Sequence, residues 1–223
     1  MSLADVRDDL NISDEDDQNL SDEEELITAQ KVLENLENAW LNEQNCPDIL
    51  PHQTEMLELM LGQISHMDEN MKSLDKNDFR FIAHKMELER VRYIITSYLR
   101  TRLKKIEKFT KHILIEEDSR DDEHKRLSEE ETQYAREFHQ GICSHFNQVA
   151  LQYMPPNLQG TDEKQMIVRP NLLSHIYLKA KKDVASVVVG ADDEEVDLVA
   201  GSQHIIPYQL ISDLVLSGKA QLI

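Results

Sequence analysis

Hydrophobic residues recur at helical spacing through the first two thirds of the chain, and this pattern predicts an α-helical bundle. Helices are predicted over residues 21 to about 45, from about 54 to 74, from 78 to about 109, and from 128 to about 154. Ser21 with Glu24, and Ser128 with Glu131, have the spacing of a capping box, which marks the first and last starts. Residues 21–154 are therefore predicted to form an up-and-down bundle of four or five helices.

The third predicted helix is the strongest signal in the chain, because no glycine or proline interrupts residues 78–109. Its apolar stripe consists of Leu88, Val91, Ile95, Tyr98, Leu99, Leu103 and Ile106. Near 30 residues at about 1.5 Å each give a helix of about 45 Å, which is longer than a small domain is wide. We therefore expect part of this helix to contact a second domain or another subunit.

The fourth predicted helix carries a stripe of aromatic and aliphatic residues. The stripe consists of Tyr134, Phe138, Ile142, Phe146, Val149 and Tyr153. Pro155 and Pro156 end the pattern, because neither can continue a helix. This helix is included in the predicted bundle.

Beyond residue 160 the helical pattern gives way to short runs rich in β-branched residues, which are typical of strands. Strands are predicted at 166–168, 176–178, 187–189 and 196–199, followed by a helix over 208–216 and a last strand over 220–223. Gly218 has the position of a helix C-cap. The predicted fold class is mainly α, with an N-terminal α-helical bundle domain followed by a small β-rich C-terminal domain.

The predicted organisation has four segments. They are a disordered acidic tail (1–20), the helical domain (21–154), a linker (155–165) and the β-rich domain (166–223). A β-rich module of about 58 residues is marginally stable by itself, so we expect it to rest on the helical domain or on a partner. The chain ends on Leu222 and Ile223, and two terminal apolar residues suggest that this end is buried.

Charge is distributed unevenly along the chain, which has 43 acidic and 24 basic residues and a net charge of −19. Residues 1–25 hold eleven acids and one arginine, which predicts a disordered, solvating tail. The apolar residues of this segment are Leu3, Val6, Leu10 and Ile12. The alternative is that they form one face of a short helix that binds a partner's groove.

The segment from 72 to 112 reverses the sign, with twelve basic and five acidic residues. Its candidates for contact with DNA phosphates are Lys104, Lys105 and Lys108. Aromatic residues that could stack on bases are few there, and the net acidity argues against DNA binding by the whole surface. Arginine also suits protein interfaces, because its planar group pairs with carboxylates. An interface role is therefore favoured over a possible weak DNA contact.

The sequence contains no pattern typical of an enzyme or a metal site, so no catalytic, metal or cofactor residue is predicted. Its six glycines form no phosphate-binding loop. His139 and His145 are six residues apart and would point away from each other on a helix. Cys46 and Cys143 lie too far apart for a zinc motif, which fits a reducing compartment. No apolar run is long enough for a membrane span, and the acidic start does not fit a secretory signal.

Residues 86–93 (MELERVRY) and 97–109 (SYLRTRLKKIEKF) carry a resemblance to a known family. They resemble the signature helix of the GINS complex subunit of the Sld-five type. Further similar segments are 36–40, 66–70, 154–158, and the end of the chain from 201 through 221–223. The resemblance covers about residues 26–223 and leaves out the acidic tail and the segment 117–127.

The resemblance implies a heterotetramer with three other GINS subunits, each with a helical A domain and a small β-rich B domain. It also implies that the tetramer joins the MCM hexamer and a RecJ-like accessory protein to form the replicative helicase, in which MCM is the ATPase. Nuclear localisation and roles in replication initiation and fork progression are implied as well. The mechanism expected of this chain is scaffolding without chemistry.

A set of residues is predicted to lie at subunit interfaces. The candidates are Arg90, Arg92, Tyr98, Arg100, Arg102, Leu103, Leu222 and Ile223. The alternative is that Tyr98 and Leu103 belong to the chain's own core and that the arginines cap local acids. The rival function is that of a direct DNA-binding factor which uses the basic helix 90–111.

Overall fold

The structure is a computed structural model that describes residues 29–72, 74, 78–121, 124–156, 159, 167–188 and 195–223. Four helices come first: α1 (Ala29–Asn45), α2 (Thr54–Lys72), α3 (Phe79–Ser119) and α4 (Glu129–Val149), with a 3-10 turn at Leu151–Tyr153. A β-rich region follows, so the predicted fold class is confirmed. The predicted start of the first helix, including the Ser21 capping box, lies outside the described residues.

The first core is formed by α1, α2 and α3. Leu36 and Leu88 are almost fully buried there, and Met60 and Ile64 of α2 pack against them. Where α1 meets α3, Glu37 pairs with Arg90, and the Trp40 indole Nε1 donates to Ser97 Oγ at 2.9 Å. These successive contacts show that α1 runs in the same direction as α3.

Helix α3 is longer than predicted. Asp78 caps its start, since its Oδ1 accepts a hydrogen bond from the Arg80 amide at 3.0 Å. The predicted end near residue 109 is wrong, because the helix continues through Ser119. Phe109 itself has a non-helical backbone (φ −117°, ψ 22°), and the Thr110 hydroxyl next to it donates to the Ile106 carbonyl at 2.6 Å. Such back-bonding accompanies helix bends, so the predicted end coincides with a kink.

Helix α4 begins as predicted. Ser128 Oγ accepts a hydrogen bond from the Glu131 amide, and the Glu131 carboxylate accepts one from the Ser128 amide, so the capping box is confirmed. Glu131 contacts Arg102 and Tyr134 contacts Glu107, which shows that α4 advances along α3 in the same direction. The predicted up-and-down order therefore stops after α3, because the connecting segment folds back along it.

The C-terminal region contains two antiparallel sheets and one helix. Its elements are β1 (His175–Ala180), β2 (Val184–Val188), β3 (Glu195–Leu198), β4 (Gln203–Pro207), α5 (Tyr208–Leu216) and β5 (Ala220–Leu222). The strand orders are β4-β1-β5 and β2-β3. The β4 strand was missed by the sequence analysis, and Ile167 and Val168 form no strand. The predicted α5 is confirmed, and Gly218 after it has a positive φ of 69°.

The sheet region is anchored on the end of α1. Cys46 packs into the same core as Leu178, Ile211 and Leu222. The Leu222 amide donates to Asn42 Oδ1 at 2.8 Å, which ties the last strand to α1. A small β-rich module thus gains apolar burial from the helices. The division into the four segments 1–20, 21–154, 155–165 and 166–223 stays a prediction.

Candidate interaction surfaces

Arg102, predicted to lie at an interface, is instead buried inside the chain with 1% of its surface exposed. Its Nε and Nη2 donate to the Glu131 carboxylate at 2.7 and 2.8 Å, and its Nη1 donates to Glu43 at 3.2 Å. The carbonyls of Leu50 and Arg126 accept the other two N–H groups at 2.6 and 2.9 Å. All five guanidinium donors are therefore satisfied within the chain.

Lys105, predicted to contact phosphate, is also turned inward. Its Nζ donates to Glu43 Oε1 at 2.7 Å and to the carbonyls of Glu43 and Asp48 at 2.6 and 2.8 Å. We call Glu43, Arg102, Lys105 and Glu131 the junction cluster, since these residues join α1, α3 and the start of α4. Because Arg102 and Lys105 donate their hydrogen bonds within the junction cluster, neither is available to a nucleic acid.

Arg102 keeps its charge despite burial. Burial opposes the charge of Arg102, but hydrogen bonds to Glu131 and the charge of Glu43 raise the pKa of its guanidinium overall. The guanidinium also lies 5.7 Å from the centroid of the Tyr98 ring. Tyr98 is 1% exposed, and its burial raises the pKa of the phenol to about 12. Tyr98 therefore belongs to the chain's own core, which is the alternative stated above.

The remaining predicted arginines differ in their surroundings. Arg90 pairs with Glu87 one turn away on α3 and with Glu37 of α1. Arg92 pairs in the same way with Glu89 on α3 and with Asp68 of α2. Hydrogen bonding to Arg90 lowers the pKa of Glu87. Arg100 is exposed, and within the described part of the chain it pairs with no carboxylate. Leu103 is half-buried.

The two interface candidates at the C-terminus also differ in their burial. Leu222 is fully buried under the three-stranded sheet, whereas Ile223 is 50% exposed. Ile223 lies on the outer face of that sheet, next to Tyr177 and its cross-strand partner Ile205. Tyr177 and Ile205 are both exposed, so the sheet has an apolar outer patch.

The second half of α4 is a surface that the sequence analysis assigned to the bundle. Its first half is packed, with Ala135 fully buried beside Ile106, but every residue from 141 to 149 is exposed. We call the apolar stripe that runs from this half into the 3-10 turn the distal α4 face; it consists of Ile142, Phe146 and Val149 on α4 and of Tyr153 in the turn. Their exposed fractions are 37%, 56%, 62% and 79%. The available signal was the capping box at Ser128, which shows where the helix starts packing but not where it stops.

The solvent side of α3 is a second exposed surface. From Phe79 onward its apolar part consists of Phe79, Ile82, Met86 and Tyr93, which are 49–80% exposed. About two to four turns beyond Tyr93, Arg100, Lys104 and Lys108 follow at intervals of four residues and are also exposed. Residues at this spacing share one side of a helix. We call these seven residues the outer α3 face.

Over the ranges that the structure describes, histidine, cysteine and acidic side chains nowhere gather in threes as metal ligands would. Over the same ranges, no helix combines the length and apolar character that crossing a membrane requires.

Comparisons with known proteins give one consistent result. Residues 54–150 match the family model described as "GINS complex protein helical bundle domain", and residues 170–223 match "DNA replication complex GINS protein SLD5 C-terminus". Proteins named "DNA replication complex GINS protein SLD5" from Rattus norvegicus and Homo sapiens are each 41% identical over 206 residues, spanning 90% of this chain and 92% of the relative. The Xenopus laevis protein of that name is 38% identical over 224 residues, spanning 98% of this chain and 100% of the relative.

Proposed function

Because the chain belongs to the SLD5 family of GINS proteins, we propose that it is a non-catalytic scaffold subunit of a GINS heterotetramer that acts in DNA replication. In this proposal it binds three other GINS subunits in the nucleus. The assembled complex then joins an MCM hexamer and a RecJ-like accessory protein at the replication fork, forming the replicative helicase known as the CMG complex. The names of the relatives support the first step, and the resemblance of the signature helix supports the second.

The observation that carries the scaffold role is the distal α4 face. Ile142, Phe146 and Val149 stand on one side of the second half of α4, where residues 141–149 are all exposed, and Tyr153 follows in the 3-10 turn. Soluble chains rarely leave such a stripe in water, and apolar helix faces bind other helices by packing side chains into grooves. A stable subunit interface buries more than about 1,000 Å² in total, so we expect the apolar outer patch of the three-stranded sheet to contribute further area.

The rival role as a direct DNA-binding factor has weaker support. Of the predicted phosphate contacts, Lys105 belongs to the junction cluster, while Lys104 and Lys108 stay exposed. Arg102, in the middle of the basic helix, is buried. Since the accessible cations on this helix are fewer than the sequence suggested, DNA binding is kept only as an alternative outcome of the experiments.

The test is a substitution on the distal α4 face, measured as recovery of sister subunits. Replacing Ile142 and Phe146 by Asp places two charges where the proposal buries apolar groups. Burying a phenylalanine contributes about 1.5–3 kcal/mol, and a buried unpaired charge costs more, so the association constant should fall by at least about 100-fold. Affinity purification of the tagged, co-expressed chain, with the partners quantified by mass spectrometry, reads this out.

The matched control carries the same charges on the opposite side of the same turns. Ser144→Asp with Gln148→Asp adds two carboxylates, but both positions are exposed and lie off the apolar stripe. This control should recover the sister subunits at the wild-type level. Equal recovery with the two double variants, or wild-type recovery with Ile142→Asp and Phe146→Asp, would exclude the distal α4 face as the subunit interface.

A further inference from the structure

The outer α3 face has an apolar part and a positively charged part, and an interface between subunits does not need both together. Its first part is apolar, with Phe79, Met86 and Tyr93 exposed by 80%, 70% and 64%. Its second part is cationic. In the described ranges neither Arg100 nor Lys104 has an acidic partner, and Lys108 only lies over the Phe109 ring at 5.0 Å. A surface of this kind fits a segment that is both acidic and apolar.

The chain itself contains such a segment. Residues 1–25 carry eleven acids and one arginine, interspersed with Leu3, Val6, Leu10 and Ile12. We propose that this acidic N-terminal segment binds the outer α3 face of its own chain. The inference goes beyond the scaffold role, because it concerns how the chain covers its own surface.

The start of α1 brings the segment to the correct end of α3. Glu37 contacts Arg90, and α1 runs in the same direction as α3. Ala29 lies eight residues before Glu37, or about 12 Å nearer the start of α3 at about 1.5 Å per residue. This places Ala29 near the level of Ile82, beside the apolar part of the face. Ala29, the point to which the segment is tethered, therefore lies at the level of the surface that the segment is proposed to cover.

The lengths and charges also match. From Ile82 to Lys108 the face extends about 39 Å at about 1.5 Å per residue, whereas 25 extended residues can span about 80 Å. Opposite charges across a partly apolar surface are screened less than charges in open solvent. A tethered segment has an effective concentration of the order of millimolar, so even weak intrinsic affinity is enough to keep it bound.

The proposal is tested by carbodiimide coupling, which joins a carboxylate to an amine in direct contact. The full chain, in the complex co-purified with its sister subunits, is coupled at about 0.15 M salt and digested, and links are mapped by mass spectrometry. We expect links from the acids of 14–17 to Lys104 and Lys108, because the 12 to 15 residues between these acids and Ala29 can span about 40–50 Å. Their yield should fall at least fivefold at about 1 M salt, because the screening length falls from about 8 Å to about 3 Å.

Two variants weaken the surface while keeping Lys108 as the reporter amine. Arg100→Gln with Lys104→Gln removes two cations, and Ile82→Ser with Met86→Ser removes apolar contacts. All four positions are exposed, so folding is retained. Each pair should lower the yield of links from the segment to Lys108 at least fivefold.

The matched control is Lys179→Gln with Lys182→Gln, which removes the same charge from exposed positions in the sheet region. It should leave the Lys108 links unchanged. Links that go mainly to other lysines or to a sister subunit would overturn the proposal. So would Lys108 links that persist in either surface variant. Recovery of the sister subunits, measured on the same samples, reports separately on the scaffold role.

Discussion

The junction cluster and the distal α4 face reverse the usual relation between polarity and burial. The cluster is ionic, yet Arg102 and Glu43 are almost completely buried and hydrogen-bonded. The distal face is apolar, yet Phe146 is 56% exposed. The charges of the cluster are satisfied within one chain, whereas the apolar side chains of the distal face are left exposed by it, as the proposed subunit interface requires. Stability of the chain and assembly of the complex should therefore depend on different residues.

The largest expected effect comes from breaking the junction cluster. Arg102→Met leaves Glu43 and Glu131 without their shared cation, and removing one partner of a buried ion pair costs about 3–5 kcal/mol. The free energy of unfolding, measured by urea denaturation of the chain, should fall by about that amount. Removing the two carboxylates as well, with Glu43→Gln and Glu131→Gln, should recover part of the loss.

The control for this variant is Arg100→Met, the same chemical change two residues earlier in α3. Arg100 is exposed, and the described part of the chain offers it no carboxylate. Its substitution should change the free energy of unfolding by less than about 0.5 kcal/mol. If both variants lost a similar amount of unfolding free energy, the junction cluster would stabilise the chain no more than a surface charge does.

A second contrast uses the two cysteines, since Cys46 is buried in the core of the sheet region whereas Cys143 is exposed on the second half of α4. Burial raises the pKa of the Cys46 thiol from 9.0 to about 11. Between these values the unfolded thiol is ionised while the folded thiol stays protonated, so unfolding releases a proton and rising pH favours it. The stabilisation is fully present below about pH 9 and is lost by about pH 11. The free energy of unfolding should therefore fall by about 1 kcal/mol between pH 8 and 10 through this group.

The measurement is a urea unfolding series at pH 8, 9 and 10 for the wild type and two variants. Cys46→Ala should show a shallower loss of stability with pH than the wild type. Cys143 is exposed on the second half of α4, so Cys143→Ala is the control and should keep the wild-type loss. Parallel curves for all three proteins would show that Cys46 is not held in an apolar core.

The helices could be predicted from the sequence because each carries its own local signals. The capping box at Ser128 and the uninterrupted run after Asp78 determined two helix starts, and both are confirmed. The missed strand β4 contains the sequence QHIIP, which has two adjacent apolar residues and a terminal proline. It forms because β1 offers a complete antiparallel ladder, which is a non-local cause. Sequence periodicity cannot detect such pairing.

The candidate residues were harder to predict, for a related reason. Periodicity shows that a helix has an apolar side, but it does not show whether that side meets the same chain or another. Tyr134 and Phe146 belong to one predicted stripe, yet Tyr134 packs against the buried cluster that contains Ile106 while Phe146 is exposed. The positive charge of Arg102 suggested a position on the surface. Its five N–H groups instead donate hydrogen bonds to acceptors from three segments that are distant in sequence.

The smallest expected effect on the free energy of unfolding comes from a substitution on the distal α4 face. This substitution tests most directly whether the face packs within its own chain. Phe146→Ser removes a large apolar side chain that is already 56% exposed, so the free energy of unfolding of the chain alone should change by less than about 0.5 kcal/mol. The matched substitution Phe109→Ser, at a position only 8% exposed, should cost about 3–5 kcal/mol because it leaves a cavity. Urea denaturation of both variants gives the two values. A loss above about 1 kcal/mol for Phe146→Ser would mean that the distal α4 face packs within its own chain. That result would remove the physical reason for a partner there, because a side chain satisfied inside the fold leaves no apolar surface to bury on assembly.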